Sequence, residues 1–226
     1  MEEEYPMGAR PSFDTELEQL NVDLIKMGAL VEEAIENSIA AFKTQDEEAA
    51  KSVIRDDRAV DDIEKSIEAR CLSLLLRQQP VARDLRAIST ALKMITDMER
   101  IGDNAADIAE LVLRIQGEHI YTMVEHIPNM ASKAVSMVHD SIASYVQNDL
   151  ELAHKTIAKD DEVDALFNRV KGELITFLKS SDENSDRAID FLMIAKYLER
   201  IADHAVNICE WVEFYKTGEH KHTRIL

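Results

Sequence analysis

The sequence contains few residues that interrupt helices and few that favour strands. It has 6 glycines, 4 prolines and only 5% aromatic residues. Glycine and proline are the poorest helix formers, and aromatic side chains are enriched in strands. Their scarcity therefore predicts long helices that are joined by short connections.

Cysteine is equally scarce. The two cysteines, Cys71 and Cys209, have neither the spacing of a CxxC pair nor that of a zinc site. Each falls on the apolar stripe of a different predicted helix. We therefore expect both to be buried, reduced thiols.

Long uncharged segments are missing as well. No stretch approaches the roughly 18 to 20 apolar residues that a membrane-spanning helix needs. The first residues, Met1–Glu4, are acidic, and no apolar segment of the kind found in secretory signals follows them. We expect a cytoplasmic protein that is not embedded in a membrane.

Positive charge is outnumbered by negative charge. The chain has 44 acidic and 26 basic residues, which gives a formal net charge of −18. Nucleic acids and anionic membranes repel such a surface, because binding to them relies on Lys and Arg. Cations, or a basic patch on a partner protein, are favoured instead. No basic cradle that would bind phosphate directly is evident in the sequence.

What the sequence does contain is a helical pattern, with apolar residues at intervals of three and four, that predicts six helices. The first begins at Ser12. Asp46 is the expected N-cap of the second, and Pro80 ends it. A third helix runs on to Gly117, which is a typical C-terminal signal. These three helices form the first predicted repeat, residues 12–117, after a flexible tail at 1–11.

The pattern then starts again. A fourth helix begins near Pro128 and ends at the joint Asn148–Asp149, where a fifth begins. The sixth covers about 186–216. The second predicted repeat is therefore 118–217, and we expect a loose C-terminal tail at 218–226.

Three glycines, Gly28, Gly102 and Gly172, fall inside predicted helices. Glycine weakens a helix interior, so such a position needs a reason. We expect a closely packed neighbouring helix at all three.

The two halves of the chain are copies of one unit. Residues 42–61 align with 145–164 without a gap, and residues 94–105 align with 194–205. The second alignment shares the motif Glu-Arg-Ile-small-Asp-x-Ala. Such an internal repeat predicts an all-α fold of two tandem three-helix bundles. We expect them to pair through their apolar faces about a pseudo-twofold axis.

Repeated carboxylates border the predicted core. An ExxxD pair places two carboxylates one turn apart on the same helix face, and a pair of aspartates on the preceding helix repeats the spacing. The candidate ligands are Glu99, Asp103, Asp107, Asp57 and Asp61 in the first repeat, and Glu199, Asp203, Asn207, Asp160 and Asp164 in the second. Asn207 stands where the first repeat has Asp107, so the second set has one fewer anionic ligand.

Two kinds of group could neutralise these carboxylates. One is arginine, because Arg100 and Arg200 follow each Glu and further arginines, Arg55, Arg58, Arg83 and Arg86, lie in the first repeat. The other is a metal: oxygen ligands without Cys suit Mg²⁺, Ca²⁺, Mn²⁺ or iron better than zinc. A charged rim of the bundle without any ligand remains a third interpretation.

Neighbouring polar residues are less promising. We expect Asp97 and Glu110 to be solvated charges on the flank of the third helix. His204, which stands where the first repeat has Asn104, is more typical of a surface or core residue than of a ligand.

Three functional interpretations are open at this stage. The chain has no nucleophile–base motif and no glycine-rich phosphate loop, which favours a non-catalytic adaptor. A carboxylate-rich metalloenzyme is the second: either a hydrolase or a di-iron protein, although the only Glu-x-x-His pairs, Glu151/His154 and Glu219/His222, do not repeat. The third is a purely structural helical scaffold.

The chain also resembles a known family. Both copies of Glu-Arg-Ile-x-Asp, the segment Arg77–Arg86 (RQQPVARDLR), and the joints Asp46–Glu47 and Asn148–Asp149 together resemble the PhoU family. The resemblance covers the chain after Ser12. It implies tandem three-helix bundles, frequent homodimers, and negative regulation of the bacterial phosphate-starvation response. It also implies two partners, a phosphate ABC transporter and a sensor histidine kinase.

The same resemblance bears on the site. Some family members carry clusters of iron or another metal on their two ExxxD motifs, and others are metal-free. If this chain is of the metal-binding kind, the resemblance implies metal at the matching ExxxD positions named above, with the two aspartate pairs as supporting ligands. Our candidates for contacts with partner proteins are Arg83, Arg86, Arg100 and Arg200.

Overall fold

The computed structural model describes residues 11–77, 81–115, 126–180, 185–220 and 223–224. The predicted ends at Pro80 and Gly117, and the tail up to Arg10, lie outside these ranges. The helices of the first repeat are α1 (Pro11–Thr44), α2 (Glu47–Asp56), α3 (Arg58–Arg77) and α4 (Ala82–Arg114). Those of the second repeat are α5 (Ile127–Gln147), α6 (Leu150–Ala158), α7 (Asp160–Ser180) and α8 (Ser185–Thr217).

The tandem helical bundles predicted from the repeat are confirmed, with one difference in each. The predicted second helix of each repeat consists of two helices, which are interrupted at Asp57 in one repeat and at Lys159 in the other. Both interruptions are tightened turns with i→i+3 hydrogen bonds, from Val60 N to Asp57 O (2.9 Å) and from Glu162 N to Lys159 O (3.0 Å). The apolar pattern continues across such a turn, so periodicity alone did not reveal it.

The two repeats share one core. Helices α4 and α8 run antiparallel in its centre, since the start of α4 contacts the end of α8, and Arg114 at the end of α4 pairs with Asp190 near the start of α8. Helices α1 and α5 contact each other and complete a central bundle of four, and the other four helices of the described ranges lie outside it. Fully buried side chains occur at equivalent positions of α4 and α8: Met94, Met98 and Ile101 in one and Ile194, Leu198 and Ile201 in the other.

The glycines inside helices have different surroundings. A Cβ at Gly28 would lie 2.7 Å from Ile142 Cδ1, and one at Gly102 would lie 3.1 Å from Asp57 Oδ1. Close packing therefore explains these two positions. At Gly172 no atom lies within 4 Å of such a Cβ, so the expectation of close packing was wrong there.

Part of the segment that we expected to be loose is ordered. Strands β1 (Glu219–His220) and β2 (Thr223–Arg224) form a short antiparallel pair. The His220 ring stacks on Trp211 of α8, with ring centroids 3.9 Å apart. This contact anchors β1 to the bundle. No helical or strand periodicity in the sequence predicts it.

The described residues also bear on the two cysteines and on membrane-spanning helices. Both cysteines are free and buried, as predicted, and burial raises the pKa of each thiol to about 12. No helix in the described ranges is long and apolar enough to cross a lipid bilayer.

Candidate functional site

The predicted carboxylates of the first repeat do come together. Asp57 and Asp61 face α4 from the α2–α3 turn and the start of α3, while Glu99, Asp103 and Asp107 lie along α4. Glu64 of α3, which sequence reasoning missed, lies one turn beyond Asp61. It belongs to the same group, since its negative charge helps to raise the pKa of Glu99. We call this group the first carboxylate cluster: Asp57, Asp61, Glu64, Glu99, Asp103 and Asp107. All six are partly buried.

Crowding within this cluster disfavours the ionised forms. The pKa of Asp57 is raised to about 6, first by burial and then by the negative charges of Asp103, Asp61 and Asp107. The pKa of Glu99 is also raised, by burial and by Asp103. The small residue at Gly102 allows the approach of Asp57 to α4. Holding these groups together therefore destabilises the fold.

Basic residues neutralise part of the charge. Arg100 Nη1 donates to Asp103 Oδ2 at 3.2 Å, and its Nε lies 3.4 Å from Glu99 Oε2. Lys65 Nζ lies 3.5 Å from Asp61 Oδ2. Both basic side chains are largely exposed, so these pairs are screened by solvent. Arg100 thus contacts the cluster itself, although we had considered it for partner binding.

The second repeat has an equivalent group, the second carboxylate cluster: Asp160, Asp164, Glu199 and Asp203. Burial, followed by the charges of Asp203, Asp164 and Glu199, raises the pKa of Asp160 to about 6. Lys196 pairs with Glu199. The Oδ1 atom of Asp160 is buried and has no hydrogen-bond partner in the described part of the chain. A buried acceptor of this kind is costly unless something binds it.

The chemistry of both clusters suits a hard cation, since every donor is a carboxylate oxygen and the negative charge exceeds the positive charge nearby. The distances do not complete a coordination shell. Among the described residues, no three His, Cys, Asp or Glu side chains lie close enough together to hold one metal ion. The clusters are therefore suited to a cation in their composition, while their side chains stand apart.

Asn207 lies at the repeat interface. Its Nδ2 donates to Asp97 Oδ1 at 3.2 Å, and Nδ1 of His204 lies 2.8 Å from the same oxygen. Exchange of the two repeats relates this contact to the hydrogen bond between Tyr197 and Asp107. The expectation that Asp97 is solvated was wrong, because α8 covers it; its side chain is only 15% exposed. Glu110, in contrast, is exposed as predicted.

The four arginines that we considered for partner contacts fall into two places. Arg100 and Arg200 lie beside the carboxylates, with Arg200 acting electrostatically on Asp107 and Tyr197. Arg83 and Arg86 lie at the start of α4, where Arg86 Nε donates to Tyr215 O at 3.2 Å. The tertiary structure thus separates residues that the sequence presented as one set.

A di-iron arrangement receives no support from the described residues. Glu151 pairs with Lys155 at 2.7 Å, and the nearest carboxylate to His154 is that of Glu213 at 4.0 Å. These side chains are mostly exposed and lie on the outside of the bundle. His222, of the second predicted pair, lies outside the described residues.

Tandem helical repeats with matched acidic clusters define a class of helical repeat protein, and comparison with known proteins identifies the family. The family model described as PhoU domain matches residues 24–112 and again residues 127–212. The chain belongs to the PhoU family. Each match corresponds to one of the two repeats.

Alignments with individual relatives cover most of the chain. A phosphate-specific transport system accessory protein PhoU homolog from Clostridium acetobutylicum is 39% identical over 93% of this chain and 96% of its own length. A homolog of the same description from Aquifex aeolicus is 38% identical over 82% of this chain and 84% of its own.

Two solved structures share the fold. The crystal structure of the phosphate transport system regulatory protein PhoU from Streptococcus pneumoniae matches with a TM-score of 0.87 and 29% identity, over 92% of this chain and 99% of the other. That of PhoU from Pseudomonas aeruginosa matches with a TM-score of 0.85 and 31% identity, over 92% and 100%.

Proposed function

We propose that this protein is a non-catalytic regulator of phosphate uptake, the accessory protein of a phosphate-specific transport system. The observation that carries the proposal is the match of both repeats to the PhoU domain, in a chain that aligns along nearly its full length with relatives of that description. The binding surfaces of such an adaptor would be helix faces. A strongly acidic protein is suited to partners that present basic patches.

The finer part of the proposal concerns partners and place. In this proposal the protein acts in the cytoplasm as a homodimer and transmits the state of a phosphate ABC transporter to a sensor histidine kinase. It restrains the phosphate-starvation response while phosphate is plentiful. Family membership supports this assignment.

Deletion of the gene in its host tests the role. We expect a reporter of the starvation response to be active at high phosphate in the deletion strain, and complementation to restore repression. Cross-linking of the full chain to transporter and kinase tests the partners separately. A reporter that keeps its normal phosphate response after deletion would contradict the proposed role.

Catalysis is tested with the purified protein. We expect no hydrolysis of phosphate esters with added Mn²⁺ or Fe²⁺. Turnover that Glu99→Gln abolishes, while the exposed-site control Glu18→Gln retains it, would replace the adaptor by a metal-dependent hydrolase.

We propose further that a divalent cation, iron or manganese by preference, neutralises the carboxylate clusters. Asp57, Asp61, Glu99, Asp103 and Asp107 would hold it in the first repeat, and Asp160, Asp164, Glu199 and Asp203 in the second. The charge repulsion and the unpaired Asp160 Oδ1 support this proposal. Asn207 donates to Asp97, which favours fewer ligands in the second cluster.

Element analysis of untagged protein before and after chelation tests the cation. We expect more than one equivalent of metal, which Glu99→Gln/Glu199→Gln loses and the control Glu18→Gln retains. Metal at background level under reducing conditions in wild type would leave the clusters as acidic rims that Arg100 and Lys196 partly neutralise.

A further inference from the structure

A small basic pocket lies at the end of the bundle where α4 begins and α8 ends. Its volume is about 230 Å³, and it is lined by Arg83, Arg86, Asn148, Tyr215 and Lys216. Three of these five residues are cationic and none is anionic. This concentration of positive charge contrasts with the formal charge of −18 on the whole chain. We call these five residues the basic pocket.

Two of the three cations are held by main-chain acceptors rather than by carboxylates. Arg86 Nε donates to Tyr215 O at 3.2 Å, and Lys216 Nζ donates to Asn148 O at 3.3 Å. Within the described ranges, none of the three cationic side chains forms an ion pair. The carboxylate of Asp84, in the same turn as Arg83, accepts a hydrogen bond from Val81 N at 3.3 Å and does not line the pocket. The positive charge is therefore not neutralised by a described lining residue.

Helix electrostatics make this placement unfavourable without a ligand. Arg83 and Arg86 lie in the first turns of α4, where the positive end of the helix dipole disfavours cations. An anion bound beside them would be attracted by both side chains and by the helix end. The pocket is thus complementary in charge to an anion.

The two repeats differ at this place although they agree in their core. In the register that aligns Glu99 with Glu199, Arg86 corresponds to Asp186 and Lys216 corresponds to Gln116. The buried apolar positions and the carboxylate clusters recur in both repeats. The repeated unit therefore does not require cations at the positions of Arg86 and Lys216, since the equivalent positions of the other repeat do without them.

Asn148 adds a selective element. It adopts a left-handed conformation with φ of 53° at the end of α5, and its Oδ1 atom is buried without a hydrogen-bond partner among the described residues. An amide oxygen can only accept a hydrogen bond. At neutral pH phosphate still carries a P–O–H group that can donate one, whereas sulfate carries none. Protein atoms cover this oxygen, so it reaches a ligand in the pocket only after the Asn148 side chain rotates.

We propose that the basic pocket binds inorganic phosphate. Arg83 and Arg86 supply guanidinium donors to its oxygens and Lys216 supplies a further charge. Asn148 Oδ1, after rotation of its side chain toward the pocket, accepts from the phosphate hydroxyl group. The pocket joins α4 of the first repeat to α5 and α8 of the second, so phosphate stabilises the contact between repeats. The regulatory meaning of this site, as a direct phosphate sensor, rests on the proposed function.

The test is a titration of the isotopically labelled full-length protein with inorganic phosphate, at constant ionic strength in chloride buffer. We expect NMR shifts of the backbone amides of residues 82–86 and 215–216, and weaker binding of sulfate. Arg83→Gln should weaken phosphate binding at least about tenfold, because it removes charge-assisted hydrogen bonds. Arg169→Gln, at an exposed arginine on α7, should leave the affinity unchanged.

Arg83 is the better test position because Arg86 also holds the last turn of α8. A second variant, Asn148→Gly, keeps the left-handed backbone accessible while it removes the acceptor. We expect it to bind phosphate and sulfate equally. Thermal melts of each variant confirm that the fold persists.

The proposal is overturned if phosphate shifts none of these amides, if Arg83→Gln binds as wild type does, or if sulfate binds wild type as well as phosphate does. The reporter experiment distinguishes these failures from failure of the proposed function. A deletion strain with altered repression and an Arg83→Gln protein with normal phosphate affinity would overturn the site alone. Specific phosphate binding by a protein whose deletion leaves the reporter unchanged would overturn the proposed role alone.

Discussion

Asp57 and Asp160 occupy equivalent positions in the two repeats, and both have a pKa of about 6. Burial is the larger cause, and neighbouring carboxylates add to it. Ordinary aspartates ionise near pH 3.8, so each of these groups binds its proton more tightly in the folded protein than in the unfolded chain. At neutral pH they therefore oppose folding unless a cation is bound.

This difference predicts how stability depends on pH. The stabilisation from protonation of Asp57 and Asp160 is complete below pH 3.8, the unfolded-state value, and is lost as the pH rises through about 6. In the presence of a chelator, the midpoint of thermal unfolding should be higher at pH 5 than at pH 7. The double variant Asp57→Asn/Asp160→Asn should flatten this dependence. A wild-type unfolding midpoint that is lower at pH 5 than at pH 7 would contradict the assignment.

Gly172 is the glycine for which the structure offers no packing reason. It lies within α7 with open space around the position of a Cβ. Gly172→Ala should stabilise the protein by about 0.5–1 kcal/mol, because alanine has the higher helix propensity. The unfolding midpoint should rise by about 1–4 °C. Gly102→Ala is the comparison, and it should gain less because its Cβ would lie 3.1 Å from Asp57 Oδ1.

At the scale of elements, the two repeats build the same joint from different residues. Gln45 and Asn148 both adopt a left-handed conformation with φ of 53°, and each is followed by an aspartate. Asp46 Oδ1 accepts hydrogen bonds from Glu48 N and Ala49 N at 3.0 Å each. Asp149 Oδ1 accepts one from Leu152 N, also at 3.0 Å. These caps start α2 and α6, and so set where the carboxylates of the following turns face α4 and α8.

Removal of one cap tests this role. Asp46→Ala should lower the free energy of unfolding by about 1 kcal/mol, since two amides at the start of α2 lose their acceptor. Asp46→Asn is the matched control, because asparagine caps nearly as well without the charge. Equal losses in both variants, measured by urea unfolding, would assign the effect to charge and contradict the capping role.

At the scale of the whole molecule, the contact between α4 and α8 unites the repeats. Its apolar centre is flanked by two related polar contacts, Asp97 with Asn207 and His204, and Asp107 with Tyr197. A continuous core of this kind predicts that both repeats unfold together.

Asp97→Ala tests the polar part of this contact. It leaves polar groups of His204 and Asn207 without their partner at a largely covered place, which should cost about 1–3 kcal/mol. Glu110→Ala, at an exposed position on the same helix, should cost much less. Urea unfolding followed by circular dichroism should show one transition for each variant. Two separate transitions in wild type would show that the repeats are independent.

The fold could be predicted because helix periodicity depends only on residues that are close together in the sequence. The spacing of apolar residues indicated the helices, and the alignment of the two halves indicated two bundles. The ExxxD motif indicated that Glu99 and Asp103 share one helix face, with the aspartate pair of the preceding helix nearby. The turns at Asp57 and Lys159 were missed because they leave that periodicity intact. Metal at the clusters stays a prediction.

Sequence alone thus determined the helical repeat and, apart from Glu64, the carboxylates that each helix contributes to the clusters, since both depend on residues one or two turns apart. Only the tertiary structure decided which side chains meet across helices. Asp97 is covered because α8 lies against it at His204 and Asn207, more than a hundred residues away in sequence. Arg83 and Arg86 meet Lys216 for the same reason: the antiparallel arrangement of α4 and α8 brings the start of one to the end of the other, and no local pattern encodes that alignment.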